Sequence, residues 1–194
     1  MFVENIKNEE INLLACRSFD GEIIIVDTLK KLDAAIAYLK NQSYIGFDAE
    51  ARPRFIKGSK RHISLLQFAT NSKAFLIRID IIGFNKQITD IFENKEIVKV
   101  GSGITDDMNA LKKMKRFNPV GFIDLQYYTK EFGIKDNSLR KITAIVLGFR
   151  ISKSQRLSNW EKSEYTNAQK RYAATDAWVC YEIYRQLNKI NITN

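Results

Sequence analysis

The stretch that decides the fold is Tyr44-Ile45-Gly46-Phe47-Asp48-Ala49-Glu50, where an almost wholly apolar run ends in two carboxylates. The apolar half is typical of a buried strand. Asp48 and Glu50 are two residues apart, so on an extended backbone both side chains project to the same face and can share a metal ion. A solvated acidic turn is the alternative, but such a turn does not require the apolar run that precedes it.

Strands and helices alternate on both sides of this stretch. Residues 22–26 form a short β-branched run, and apolar runs predict five strands at 44–47, 63–69, 74–79, 97–100 and 122–123. Apolar residues at helical spacing predict helices over about 29–41, 84–93, 105–116, 125–132, 138–147 and 167–189. We therefore expect an α/β fold with a mixed sheet of about five strands, the first three antiparallel neighbours and the last two reached through helical crossovers.

Two later motifs carry further acidic or phenolic groups. In Gly101-Ser102-Gly103-Ile104-Thr105-Asp106-Asp107, both aspartates fall in the first turn of a predicted helix, where capping competes with metal binding and spacing does not choose between them. In Tyr172-Ala173-Ala174-Thr175-Asp176, the tyrosine and the aspartate are four residues apart and lie on one helical face. An ordinary surface hydrogen bond would explain the second pair equally well if it stood alone.

The charge of the whole chain gives these carboxylates a context. Lysine and arginine total 31 against 22 acidic residues, a formal net charge of +9. Such a balance favours a polyanionic partner, with nucleic acid as the first candidate and an anionic membrane surface as the second. Carboxylates gathered in one place repel each other, and hard divalent cations with phosphate oxygens explain the gathering better than separate ion pairs.

Length and composition predict one domain over residues 1–194. The sequence has no run of about 18 apolar residues and no secretion signal at its N-terminus, so we expect a cytoplasmic protein without a membrane partner. Cys16 and Cys180 belong to no CxxC pair and are expected to be reduced thiols.

A basic loop follows the first motif and has the chemistry to grip phosphates. It contains Arg52, Arg54, Lys57, Lys60 and Arg61, with Phe55 available to stack on a base. A solvated basic loop is the competing interpretation. His62, the one histidine, is expected to be a surface residue rather than a general base.

The three motifs resemble those of the 3′–5′ exonuclease domain of the Werner-helicase type, within the DnaQ-like superfamily that also holds ribonuclease D. Phe47-Asp48-Ala49-Glu50 is similar to the first family motif, Val100 to Asp107 to the second, and Tyr172 to Ala177 to the third. The second match favours Asp107 over Asp106. With Tyr172 in its third motif, the chain resembles the tyrosine subclass of these nucleases. The similarity runs from about residue 22 to 189 and includes Leu65 to Thr70. Ala51 departs from the family, where a larger residue is common.

This resemblance implies a ribonuclease-H-like mixed five-stranded sheet flanked by helices, and a metal-dependent 3′–5′ exonuclease that releases nucleoside 5′-monophosphates, with DNA as the preferred substrate. Asp48, Glu50 and Asp176 would hold one Mg²⁺ or Mn²⁺, and Asp48 and Asp107 would hold a second. Tyr172 would orient the attacking water.

The resemblance also places a second set of nucleic-acid contacts beside the site: Lys153, Arg156, Asn159 and Trp160. Two alternatives stay open, a ribonuclease-D-like exoribonuclease and a non-catalytic nucleic-acid-binding module. The sequence does not predict the oligomeric state.

Overall fold

A mixed sheet forms the centre of the computed structural model, which describes residues 2–52 and 62–193, with side chains up to residue 190. The strands are β1 (Glu22–Val26), β2 (Tyr44–Ala51), β3 (Ile63–Ala69), β4 (Lys73–Arg78), β5 (Val98–Gly101) and β6 (Phe122–Asp124). Their order across the sheet is β1-β4-β3-β2-β5-β6. Strands β2, β3 and β4 are antiparallel neighbours, whereas β1 runs parallel to β4, β5 to β2, and β6 to β5.

The predicted α/β class is confirmed, with one strand more than the five expected. Antiparallel β2, β3 and β4 and the two parallel strands after them have the predicted relation to one another. The additional strand is β1, which pairs with β4 at the edge of the sheet. Its pairing joins residues about 50 positions apart in the chain, and a local sequence pattern does not show such a partner.

The helices lie where apolar periodicity and capping residues place them. They are α1 (Asn8–Leu13), α2 (Leu29–Leu39), α3 (Ile79–Ile82), α4 (Lys86–Phe92), α5 (Thr105–Met114), α6 (Leu125–Tyr128), α7 (Leu139–Leu147) and α8 (Asn167–Thr193). Thr28, Asn85 and Ser138 cap α2, α4 and α7 by accepting a backbone N–H with the side chain. No helix in the described residues is both long and apolar enough to cross a membrane.

Three helical predictions differ from the structure in detail. The short helix α1 was missed because it buries only Ile11 and therefore shows no apolar period. The helix predicted over 84–93 is α4 alone, and the separate short helix α3 ends at Ile82, with Gly83 as its C-cap. The helix predicted over 125–132 is α6 followed by a 3₁₀ turn, Thr129–Phe132.

Strand alternation sends neighbouring side chains of β2 to opposite faces of the sheet. Phe47 and Ala49 enter the larger apolar core with residues of α2, α4 and α5. Gly46, Asp48 and Glu50 share the other face, which packs against α8. The core therefore fixes the strand from one side while the carboxylates point to the other.

Helix α8 crosses the sheet unusually close to β2. A Cβ atom on Gly46 would overlap the carbonyl oxygen of Ala177 and come within 2.9 Å of the Tyr181 backbone nitrogen. Only glycine at this position allows the helix to lie so near the strand. The close approach brings the α8 residues Tyr172 and Asp176 to the carboxylates of β2.

Candidate active site

Three carboxylates from two elements meet on the α8 face of the sheet. Asp48 and Glu50 come from β2 and Asp176 from α8, and one oxygen from each lies within 4.8 Å of the other two. Asp48 and Glu50 are half-buried and Asp176 is buried. These all-oxygen, anionic donors fit a hard divalent cation such as Mg²⁺ or Mn²⁺ better than a metal that prefers sulfur or imidazole.

Burial governs the protonation of the two α8 groups. Desolvation raises the pKa of Asp176 above the usual carboxyl range, and the hydrogen bond that it accepts from the Tyr172 hydroxyl opposes this shift. Desolvation also raises the pKa of Tyr172, and the negative charges of Asp176 and Glu50 raise it further. Tyr172 therefore stays a neutral hydroxyl, and a cation beside Asp176 would favour the charged carboxylate.

Asp107 enters from the neighbouring strand. It lies in the first turn of α5, after β5, and β5 is parallel to β2, so the carboxyl ends of the two strands meet at one edge of the sheet. Asp107, the aspartate chosen from the motif, is buried, whereas Asp106 is exposed. Asp107 lies outside the group of three carboxylates that the described residues bring within 4.8 Å.

Asp124, the last residue of β6, is a capping residue. Its carboxylate accepts from the backbone of Gln126 at 3.0 Å at the start of α6, and from Gly103 and Ile104 at 2.9 and 3.1 Å. Gly103 has a φ of +69°, a conformation that favours glycine. Asp124 thereby holds the loop that leads into the helix carrying Asp107.

Cationic side chains line a cleft on one side of this centre. A cavity of about 120 Å³ contains Lys153 and Arg156, both predicted as nucleic-acid contacts, together with Arg140, Tyr172 and Asp176. A second cavity of about 240 Å³ shares Ser152 and Tyr172 with the first and adds Arg17 and Arg171. None of the three arginines was predicted from the sequence, because each lies far from the motifs or on an ordinary helix face.

The predicted contacts near β2 divide into described and undescribed residues. Arg52 is exposed and pairs with Glu161 at 3.2 Å. Asn159 is half-buried, and its side-chain oxygen accepts a hydrogen bond from the Glu161 backbone N–H at 3.0 Å, within the same loop. Five predicted contacts lie outside the described residues: Arg54, Phe55, Lys57, Lys60 and Arg61.

Trp160 requires a correction. It was predicted to contact nucleic acid, but its side chain is 0% exposed and presents no face to a substrate. Its ring packs in an apolar cluster with Leu65, Leu76 and Ala173, with its centroid 6.1 Å from that of Tyr172. Trp160 therefore supports Tyr172 from within the core.

Comparison with known proteins agrees with this geometry. A family model described as 3′–5′ exonuclease matches residues 23–191. The chain is 25% identical over 195 residues to an exonuclease mut-7 homolog of Aedes aegypti, covering 88% of this chain and 27% of that protein. It is 31% identical over 161 residues to the bifunctional 3′–5′ exonuclease/ATP-dependent helicase WRN of Mus musculus, covering 80% of this chain and 12% of that protein. The chain thus spans about a quarter or less of the length of these relatives.

The fold also matches solved structures. Trypanosoma brucei RNase D in complex with RNA U12 superposes with a TM-score of 0.78 at 21% identity, covering 87% of this chain and 63% of that one. At this identity the likeness concerns the fold, which is ribonuclease-H-like.

Proposed function

We propose, since the chain belongs to the 3′–5′ exonuclease family of the DnaQ-like superfamily, that it removes nucleoside 5′-monophosphates from nucleic-acid 3′ ends with two divalent metal ions. Family membership identifies the chain as an exonuclease; its metals and its substrate are the proposal. One observation carries it, the convergence of Asp48, Glu50 and Asp176 on one face of the sheet.

The carboxylates are assigned to the metals as follows. Asp48, Glu50 and Asp176 would hold one Mg²⁺ or Mn²⁺, and Asp48 with Asp107 would hold the second. When bound, such ions lower the pKa of a water and stabilise charge on the leaving 3′ oxygen.

Tyr172 supplies orientation rather than charge. Its hydroxyl donates a hydrogen bond to Asp176, and its raised pKa keeps it neutral, so the lone pairs of its oxygen remain available to accept a hydrogen bond from a water. The packing of Trp160 and Tyr165 behind the ring holds it in place. This arrangement would let Tyr172 orient a water beside the carboxylates without a separate general base.

The cationic cleft supports a polyanionic substrate. Lys153 and Arg156 are exposed and line the cavity that contains Asp176. Their charge attracts phosphates toward a centre that would otherwise repel them.

DNA remains the substrate predicted from the resemblance to the Werner type. RNA is a second candidate, favoured by the fold likeness to an RNase D whose structure contains RNA U12. The sugar 2′-OH separates the two substrates, and contacts to that group would decide between them.

An oligonucleotide assay tests the proposal. The purified protein is incubated with 5′-labelled DNA and RNA of one sequence, in Mg²⁺, in Mn²⁺ and in chelator. We expect a ladder that shortens from the 3′ end in the metal lanes and is absent with chelator. The oligonucleotide that is cleaved faster, DNA or RNA, is the preferred substrate. Retained binding without turnover would favour the non-catalytic module, and turnover in chelator would contradict the metal mechanism.

Tyr172→Phe should slow cleavage by about 10- to 100-fold, the value of one buried hydrogen bond, because the metal ligands remain while the water loses its orienting oxygen. We expect the loss in kcat, with little change in KM. Single-turnover rates measure it. Tyr127→Phe is the matched control, since this tyrosine is 65% exposed and lies outside the site. An unchanged rate in Tyr172→Phe would remove the hydroxyl from the mechanism.

A further inference from the structure

Gln67 is a buried amide whose hydrogen-bonding capacity is unused. The residue lies in the middle of β3 with 0% of its surface exposed. Neither its Nε2 nor its Oε1 has a hydrogen-bond partner among the described residues. A buried polar group in this state lowers the stability of the fold, and an apolar side chain of the same length would avoid the cost.

Strand register places this amide beside the metal-binding carboxylates. Gln67 pairs directly with Asp48 across the antiparallel β2 and β3, so the two side chains lie on the same face. Its other cross-strand neighbour, on β4, is the apolar Leu76. Along β3, Leu65 and Ala69 flank it and pack against residues of α8. Asp48 is thus the polar neighbour that the sheet brings next to Gln67.

We propose that Gln67 is a positioning residue, whose Nε2 amide donates a hydrogen bond to the Asp48 carboxylate when the carboxylates hold a divalent cation. Directly paired Cβ atoms lie about 4.5–5.5 Å apart, which a glutamine side chain spans by a change of rotamer. Carboxylates that bind metals are themselves held by hydrogen bonds from neighbouring groups, which fix their orientation. The unpaired amide gains its partner on cation binding, so part of the cation affinity comes from relieving the cost of its burial. This inference rests on the proposed two-metal function.

The test compares wild-type protein with Gln67→Met, which keeps the length of the side chain and removes the amide. Bound Mn²⁺ is counted from the loss of the electron paramagnetic resonance signal of free Mn²⁺, and thermal unfolding is followed with and without Mn²⁺. We expect the Kd for Mn²⁺ to rise about 10- to 100-fold. The Tm of the metal-free variant should equal that of metal-free wild type or exceed it by about 2–4 °C. Activity should recover at saturating Mn²⁺, which a damaged fold would not allow.

Leu76→Met is the matched control, because it changes the opposite neighbour of Gln67 on the same face and should leave the Kd for Mn²⁺ unchanged. An unchanged Kd in Gln67→Met, with normal Mn²⁺ binding by wild type, would overturn this inference alone. Absence of Mn²⁺ binding by wild type would overturn this inference, whereas cleavage in chelator would overturn the two-metal proposal itself. If Gln67→Met and Gln67→Leu both fail to fold, the amide serves the fold itself and the inference is wrong.

Discussion

Asp48→Ala should reduce cleavage by on the order of 10³-fold or more while leaving nucleic-acid binding largely intact. Asp48 is assigned to both metal ions, so its removal weakens the whole centre, whereas the cationic groups at Lys153 and Arg156 are untouched. Cleavage of a 5′-labelled oligonucleotide and binding of the same molecule by fluorescence anisotropy measure the two properties separately. We expect Mn²⁺ to raise the Tm of wild type, and the variant should lose this stabilisation.

The matched control for that variant is Asp106→Ala. Asp106 is an exposed carboxylate one residue from Asp107, so its removal changes the net charge equally without entering the site. We expect activity within about twofold of wild type, as for an ordinary surface substitution. Full activity in Asp48→Ala would refute the assignment of the centre.

Gly46→Ala should impair both folding and catalysis, because the added methyl group overlaps the backbone of α8 at Ala177. Overpacking of this kind costs about 1–3 kcal/mol, and each kcal/mol lowers Tm by roughly 2–4 °C in a domain of this size. The cleavage rate per folded molecule should also fall, beyond what the loss of stability explains. Displacement of α8 moves Tyr172 and Asp176 away from β2, and a shift of about 1 Å can cost on the order of 10²-fold in rate.

Gly133→Ala separates a loss of stability from a loss of geometry. Gly133 has a φ of +81° and no atom within 4 Å of an added Cβ, so alanine there strains the backbone without a steric clash. We expect a comparable decrease in Tm with the rate per folded molecule unchanged. If Gly46→Ala and Gly133→Ala lose activity equally, the close approach of α8 to β2 has no special role in the site.

The corrections to the predicted contacts share one cause, which is that exposure depends on packing partners distant in sequence. Trp160 lies in a polar, basic segment that favours a surface position, yet its apolar area is covered by residues of β3, β4 and α8. Arg17, Arg140 and Arg171 line the cleft although nothing in their local sequence distinguishes them from other surface cations. Gln67 was noted only as part of a family-like segment, and its relation to Asp48 depends on the register of β2 and β3.

The sequence by itself determined the order and type of most strands and helices, because periods of two and of 3.6 residues are local properties of the chain. It also named the five candidate site residues, Asp48, Glu50, Asp107, Tyr172 and Asp176, because their motifs are short and contiguous. Only the tertiary structure decided that β1 closes the edge of the sheet, that Trp160 is buried and that α8 lies against Gly46. These features depend on contacts between residues far apart in the chain, which packing selects and no local pattern specifies.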